Sequence, residues 1–431
     1  MLQDRARVVE LLEVLGVLAF AFVLIYYSLY FWHNKAPWDP CAYRMTGLRL
    51  LGSDTYYEAL RAPIPSLLYA LLGFKGFFVV SWLLLAAAVV IFARRRDASP
   101  LILLLLLVPP SAAVLYTVGG SEILAVAFLL LGAAYSENLI SALLFSLTFL
   151  SRYAFAPFVL FFFPWKRLRD RGYLLRYLAL FFAPILLWSL WQWWAYGNPL
   201  ASYADFLYVN SYENGHRIPI PLPDMLLKSV WPSLVMGLPF LDAWAILFMV
   251  VALVLAAYAG IQRPRFYLPV AIPLAISAAR RLPRALGFIM LLVWIPSTLY
   301  TLHFYSWSDT LFRQMASVSD GCAVVSNVWV PLVCMGVHAI APPPDVNDFL
   351  KLVHSGWIGV MEKGVPYPPY TVDENAFRGI GLPVSDYGRF FVVGNGCLHI
   401  NSWPLPPDPW NYYWNRLFVA LGIRGNNITR S

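Results

Sequence analysis

Charge is scarce in this chain. Only 13% of its 431 residues are Asp, Glu, Lys or Arg, while 60% are hydrophobic, well above the ~45–50% apolar share of a soluble domain. That imbalance excludes an ordinary globular protein and points to a polytopic membrane protein. Cysteine is equally sparse: Cys41, Cys322, Cys334 and Cys397 form no Cys-x-x-Cys pair and lie far from any paired histidines, so a zinc site has no support. No glycine-rich phosphate cradle is visible, which argues against a nucleotide-binding enzyme. No repeats or low-complexity tracts occur. No Ala-x-Ala-type site follows the first apolar run, which is therefore read as a retained helix.

What fills the chain is a series of apolar runs. The first, residues 11–32, is long enough for a hydrocarbon core that needs about 20 residues. Others cover residues 77–93, 101–135, 138–165, 177–196, 234–259, 266–279 and 286–302. The net charge of +8 sits in short basic blocks between these runs, a pattern of membrane orientation rather than of nucleic-acid binding. Arg5 and Arg7 before the first run and Arg94, Arg95 and Arg96 after the second set both points in the cytoplasm, so residues 33–73 form an exterior loop. Pro109 and Pro110 remove helical donors, which divides residues 101–135 into two passes joined outside. The block from Lys166 to Arg176 requires a turn outside at Arg152. Arg263 and Arg265 conflict with Arg280, Arg281 and Arg284, so one late run is a hairpin or lies in the interface. The expected architecture is mainly α, a helical bundle of about 9–11 passes over residues 1–303, N-terminus cytoplasmic. Trp32, Trp38 and Trp193 fit an interfacial aromatic belt, and the scattered histidines, His33 and His216 among them, read as ordinary polar positions.

After His303 the apolar runs shorten and prolines multiply. Residues 304–431 read as a small α/β domain on the extracytoplasmic side. Strands are expected at 322–326 and 390–393, and helices at 346–354 and 411–421. In an oxidising exterior a Cys322 to Cys397 disulfide is allowed, and Asn427-Ile-Thr429 would be an N-glycosylation acceptor.

Residues 38–73 gather carboxylates, arginines and aromatics between two apolar runs. Asp39-x3-Tyr43, then Gly52-x3-Tyr56, then Pro63-x-Pro65-x-Leu-Leu-Tyr69 follow one another in this first exterior loop. Further on come Gly120-Ser-Glu122, Thr148-Phe-Leu-Ser-Arg152-Tyr153, Gly197-Asn-Pro-Leu-Ala-Ser-Tyr203 and Arg265-Phe-Tyr267-Leu-Pro-Val-Ala-Ile-Pro273. In this order, the motifs resemble the GT-C superfamily of membrane glycosyltransferases over residues 10–210, and within it the dolichyl-phosphate-mannose dependent mannosyltransferases. The resemblance implies inverting transfer of a mannose-like hexose from a polyprenyl-phosphate donor to a lipid, glycan or protein acceptor at the exterior membrane face. Many relatives carry two adjacent acids in the first loop. Here Pro40 follows Asp39, so Asp39, Asp54 and Glu58 all stay open as the base.

The chemistry asks for the same residue types. A carboxylate must take the acceptor hydroxyl's proton, with Asp39 the first choice. Cations must stabilise the departing phosphate, and the guanidiniums of Arg152 and Arg61 can bind it bidentately. Glu122 is a second catalytic candidate, to orient the acceptor or to hold a divalent ion such as Mg or Mn. Tyr43, Tyr56 and Tyr153 are the substrate-binding candidates. Each has a plainer reading: Asp39 starts a turn, Asp54 caps a short helix holding Tyr57 and Glu58, Glu58 and Arg61 make a surface pair at i,i+3, Arg152 snorkels from a helix end, and Glu122 is an interfacial charge. Two other functions compete with a transferase. A transporter or lipid flippase would place charges near the midplane, although no internal repeat is seen. A non-enzymatic scaffold would tolerate replacement of Asp39 and Arg152.

Overall fold

A computed structural model of the chain describes residues 2–31, 38–208, 222–258, 264–304, 310–319, 321–343, 345–365, 369–372 and 374–403. The expected helix at 411–421, Asn427, Trp32, His33 and His216 lie outside the described residues. The chain divides into two compact units. The first is built from the described residues of 1–31 and 58–305, the second from those of 32–57 and 306–405.

The first unit is helical. Among the described residues, four helices are long and apolar enough to cross a membrane: α1 (Leu2–Phe31) over its segment Arg7–Phe31, α3 (Pro63–Arg96), α9 (Arg171–Tyr196), and α15 (Arg284–Phe304) over Arg284–Leu302. A fifth crossing is formed if α4 (Pro100–Leu107) and α5 (Pro110–Gly119), bent by 68° at their junction, act as one span. These features are consistent with a multi-pass membrane protein. The remaining apolar helices are shorter, among them α6 (Ser121–Ala134), α7 (Ile140–Ser151), α13 (Ala243–Tyr258) and α14 (Ala271–Ala279). Sequence reading took most of these runs as passes; in the fold α14 and α4 are buried along their whole length.

Local chemistry sets the breaks. Proline opens α3, α4 and α5 within the first two helical positions, where its missing N–H costs nothing. α3 is interrupted at Gly73, whose φ of +66° lies outside the helical range. The Pro109-Pro110 pair leaves the carbonyls of Leu105 and Leu106 without the N–H groups an α-helix would supply four residues on. Distant side chains replace them. The Trp294 indole donates to the Leu105 carbonyl at 3.0 Å and the Ser233 hydroxyl to that of Leu106 at 2.5 Å. The 101–135 region forms three helical pieces, with a second break at Gly120 before α6; the bend between α4 and α5 leaves room for the two expected passes.

Buried polar ties hold α1 in place. Ser28 bonds Thr117 at 2.9 Å and accepts from the Trp82 indole at 2.9 Å. Nearer the other end, the wholly buried Glu13 accepts from Ser99 and pairs with Arg284 at 3.2 Å. Ser99 is also the cap of α4, accepting from the Ile102 N–H at 3.2 Å.

The second unit holds a five-stranded mixed sheet in the order β2-β1-β3-β5-β4: β1 (Val324–Val325), β2 (Ala339–Ile340), β3 (Ile358–Glu362), β4 (Val384–Asp386) and β5 (Phe390–Val393). β1 is parallel to β2 and β3, while β5 runs antiparallel to β3 and β4. The strands at 324–325 and 390–393 and the helix α18 (Val346–His354) fall where their apolar patterns place them. Sequence reading attached the whole first loop to the membrane part. In the fold, α2 (Asp39–Leu50) packs on α17 (Trp329–Cys334) within the second unit. Trp38 meets Trp329 edge to face at 5.2 Å, and a Cys41–Cys334 disulfide joins the two segments across 293 residues. A second disulfide links Cys322 and Cys397.

Candidate active site

In the first unit, α6 and α7 bring two of the sequence candidates together. Glu122 lies in the first turn of α6, where the helix dipole favours an anion. Its neighbours make room for it. Gly120 has φ +74°, outside the range of most L side chains, and a Cβ there would fall 2.2 Å from the Tyr69 hydroxyl. A Cβ on Gly119 would fall 2.2 Å from Glu122 Oε2. Arg152 leaves the end of α7 in an extended conformation, with φ −160°, so its side chain departs from the helix path.

The Arg152 guanidinium pairs with Glu122 Oε1 at 3.1 Å and donates to Ser121 Oγ at 3.1 Å, while Ser121 lies 3.2 Å from Glu122 Oε2. Glu122 is wholly buried and Arg152 is 8% exposed. A ring closes over the cation, with Phe266 centred 5.1 Å from Arg152 Cζ, a cation–π distance. Tyr153 follows directly; its hydroxyl accepts from the Trp188 indole at 3.0 Å, and its ring meets Tyr203 at 4.9 Å and Phe206 at 5.6 Å. Glu122 and Arg152 thus form a desolvated pair, neither a lone interfacial charge nor a snorkelling arginine. Among the described residues no group of three or more His, Cys, Asp or Glu is placed to hold a metal ion.

Glu58 and Arg61 also pair, across a turn in which the Arg61 N–H bonds the Glu58 carbonyl at 3.2 Å. Their side chains are only about a tenth exposed, so this is a buried pair and not the surface pair of a helix face.

The other candidates belong to the second unit. Asp39 opens α2, with Pro40 beside it and Tyr43 one turn on, all three buried. A carboxylate in this first turn complements the helix dipole, so the proline after Asp39 starts a helix and not merely a turn. Asp54 does not cap a helix, since no helix forms around Tyr57 and Glu58. Its carboxylate instead pairs with Arg49 at 2.5 Å and accepts from the Trp403 N–H at 3.2 Å. Tyr56 is a packing and hydrogen-bonding residue: its hydroxyl accepts from the Trp329 indole at 2.7 Å and its ring meets Trp403 at 5.8 Å.

No family model, curated protein or solved structure matches this chain. The site therefore stands on its own geometry. Sequence reasoning overlooked Glu13, the acid inside the first apolar run, although an ionisable residue in such a run is a signal in itself. It also overlooked Gln192, the polar position on the buried face of α9.

Proposed function

We propose that the chain is a membrane glycosyltransferase that moves a mannose-like hexose from a polyprenyl-phosphate donor to an acceptor hydroxyl, with Asp39 as base and Arg152 on the donor phosphate. The reading places the N-terminus in the cytoplasm, the second unit outside, and further crossings among the shorter helices. The observation that carries it is the buried Glu122–Ser121–Arg152 group among apolar helices, since ionisable residues inside such a bundle are costly and mark functional sites. Two disulfides in the second unit agree with an oxidising exterior. On this reading Glu122 holds the guanidinium until a phosphate competes for it, and a bidentate arginine–phosphate contact then stabilises the leaving group. Asp39 at the start of α2 takes the acceptor's proton.

A transport reading shares one observation. The 68° break between α4 and α5 makes a discontinuous helix of the kind that lines substrate sites in transporters. The test is sugar transfer from a radiolabelled polyprenyl-phosphate donor pool in membranes carrying matched amounts of wild type or Asp39→Asn. The proposal expects label in the acceptor fraction for wild type and a loss of at least about 100-fold for the variant. Equal transfer by both would remove Asp39 from the mechanism, and no transfer by wild type from any donor would favour transport.

A further inference from the structure

α9 is an unusual helix for a bundle. Its crossing segment is only 11% buried, and its buried side chains are Tyr173, Tyr177, Trp188 and Gln192, at the i,i+4 spacing of one face. Three of the four are aromatic. Gln192 is the exception, wholly buried at the helix end that leads through Gly197 into α10 (Ala201–Tyr208).

Its amide orientation is fixed, because Gln192 Oε1 accepts the Ser202 N–H at 2.6 Å. Nε2 therefore points away from that bond, and among the described residues it has no hydrogen-bond partner. Asn198 repeats the arrangement. Its Oδ1 accepts the Leu200 N–H at 2.9 Å, and its Nδ2 is buried without a partner. Among the described residues the Ser202 hydroxyl, wholly buried, has no hydrogen-bond partner either. Two amide groups and a hydroxyl, from the end of α9, the connection after it and the start of α10, and all more than nine-tenths buried, are left with donors to spare. Leaving such donors unmet costs stability, so an external acceptor is called for. The aromatic neighbours are Tyr203, which meets Tyr153 at 4.9 Å, and Trp188, bonded to the Tyr153 hydroxyl. That contact connects the turn to the residue next to Arg152.

We infer that Gln192, Asn198 and Ser202 form a subsite for the hydroxyl groups of a neutral hexose. The donors are uncharged, which suits hydroxyl oxygens better than a phosphate, whose usual partner is a guanidinium. The aromatic rings beside them offer apolar surface to a sugar's C–H faces, the usual division of labour in a small-molecule site. The inference rests on the transferase reading for its choice of sugar, and it deepens that reading by assigning recognition to residues apart from the ion pair. The sugar could belong to the lipid donor or to a glycan acceptor; both present the same hydroxyls.

The test is ligand-dependent thermal stabilisation of the full chain in detergent, with methyl α-mannoside and mannose 1-phosphate as probes. Asn198→Asp keeps the acceptor for the Leu200 N–H and replaces the free donor by a carboxylate oxygen, so the uncharged glycoside is the probe that reads the lost donor apart from the added charge; Gln192→Met removes the other amide. The expected result is a concentration-dependent rise in the wild-type midpoint, with the apparent affinity of both probes weakened about tenfold or more in Asn198→Asp, and the ligand-free midpoint of that variant close to wild type. Tighter binding of mannose 1-phosphate than of the glycoside assigns the subsite to the donor sugar, and equal binding to the acceptor; both outcomes support it. No shift with either probe in wild type, or equal shifts in wild type and Asn198→Asp, overturns the inference and leaves the donors to water. The readout needs no turnover. Probe binding that depends on Asn198 without any lipid-linked transfer would keep the subsite and sink the transferase reading, whereas transfer with Asn198-independent binding would do the reverse.

Discussion

Removing the Arg152 guanidinium would strand Glu122, whose carboxylate has no solvent to turn to. Breaking a buried pair by deleting one partner typically costs about 3–5 kcal/mol, while replacing both with apolar groups of similar size is often neutral. Arg152→Leu should therefore lower the thermal midpoint of the detergent-solubilised protein markedly, and Glu122→Leu/Arg152→Leu should recover most of it. If the pair instead serves only stability, the double variant would also keep full activity, which the proposed role of Arg152 forbids. A second residue-scale prediction concerns Asp386 at the end of β4. The Lys363 ammonium, 2.8 Å away, and the Gly388 N–H hold its carboxyl below the usual range. A carboxyl depressed by folding adds stability that is present above its unfolded value and is lost as pH falls through the folded one. Lys363 is raised, chiefly by the same bond to Asp386 and then by Glu374, so its contribution is present at neutral pH and is lost as pH rises through its folded value. Unfolding midpoints of wild type and Asp386→Asn should differ most at neutral pH and converge on acidification; because these groups are exposed, added salt should shrink the difference.

Among the elements, the α4–α5 break carries the clearest consequence. The two carbonyls orphaned by Pro109 and Pro110 are met by Trp294 and Ser233, which lie 189 and 127 residues away in sequence from their acceptors. In an apolar bundle there is no other donor to replace them. Trp294→Phe keeps the ring's bulk and loses the N–H, and Ser233→Ala loses the hydroxyl; each should destabilise by about 1–3 kcal/mol. Since the two bonds serve different carbonyls, their costs should add to within a few tenths of a kcal/mol. Thermal unfolding of the two single variants and the double variant measures this. A change in neither single variant would mean that water reaches the break, which would itself suit the transport reading. The break was legible in the sequence because two adjacent prolines cannot be helical donors. Its partners were not, because nothing in the local pattern around Trp294 or Ser233 distinguishes a donor to a distant carbonyl from any other interfacial side chain.

For the whole molecule, composition alone separated the apolar bundle from the mixed tail, and short strands with apolar runs were readable at 324–325 and 390–393. Hydropathy treats the largely exposed α9 and the buried α14 alike, because only burial by neighbouring helices distinguishes them. The site was legible as separate residues: Glu122 and Arg152 stood out as charges among apolar runs, but their pairing depends on α6 lying against α7. The same limit hid the partner of Cys41, since a separation of 293 residues gives no local signal. That disulfide supplies the last prediction. Cross-links closing long loops restrict the unfolded chain most, and loss of one commonly costs about 2–5 kcal/mol. If the second unit faces an oxidising exterior, intact cells carrying the protein should show no labelling by a membrane-impermeant maleimide until an impermeant reductant is added, and Cys41→Ser/Cys334→Ser should expose the second unit to limited proteolysis at lower temperature than wild type. Labelling without reductant would show that the cysteines are free thiols, whereas labelling that appears only after the membrane is permeabilised would place the second unit in the cytoplasm and take the exterior transfer mechanism with it.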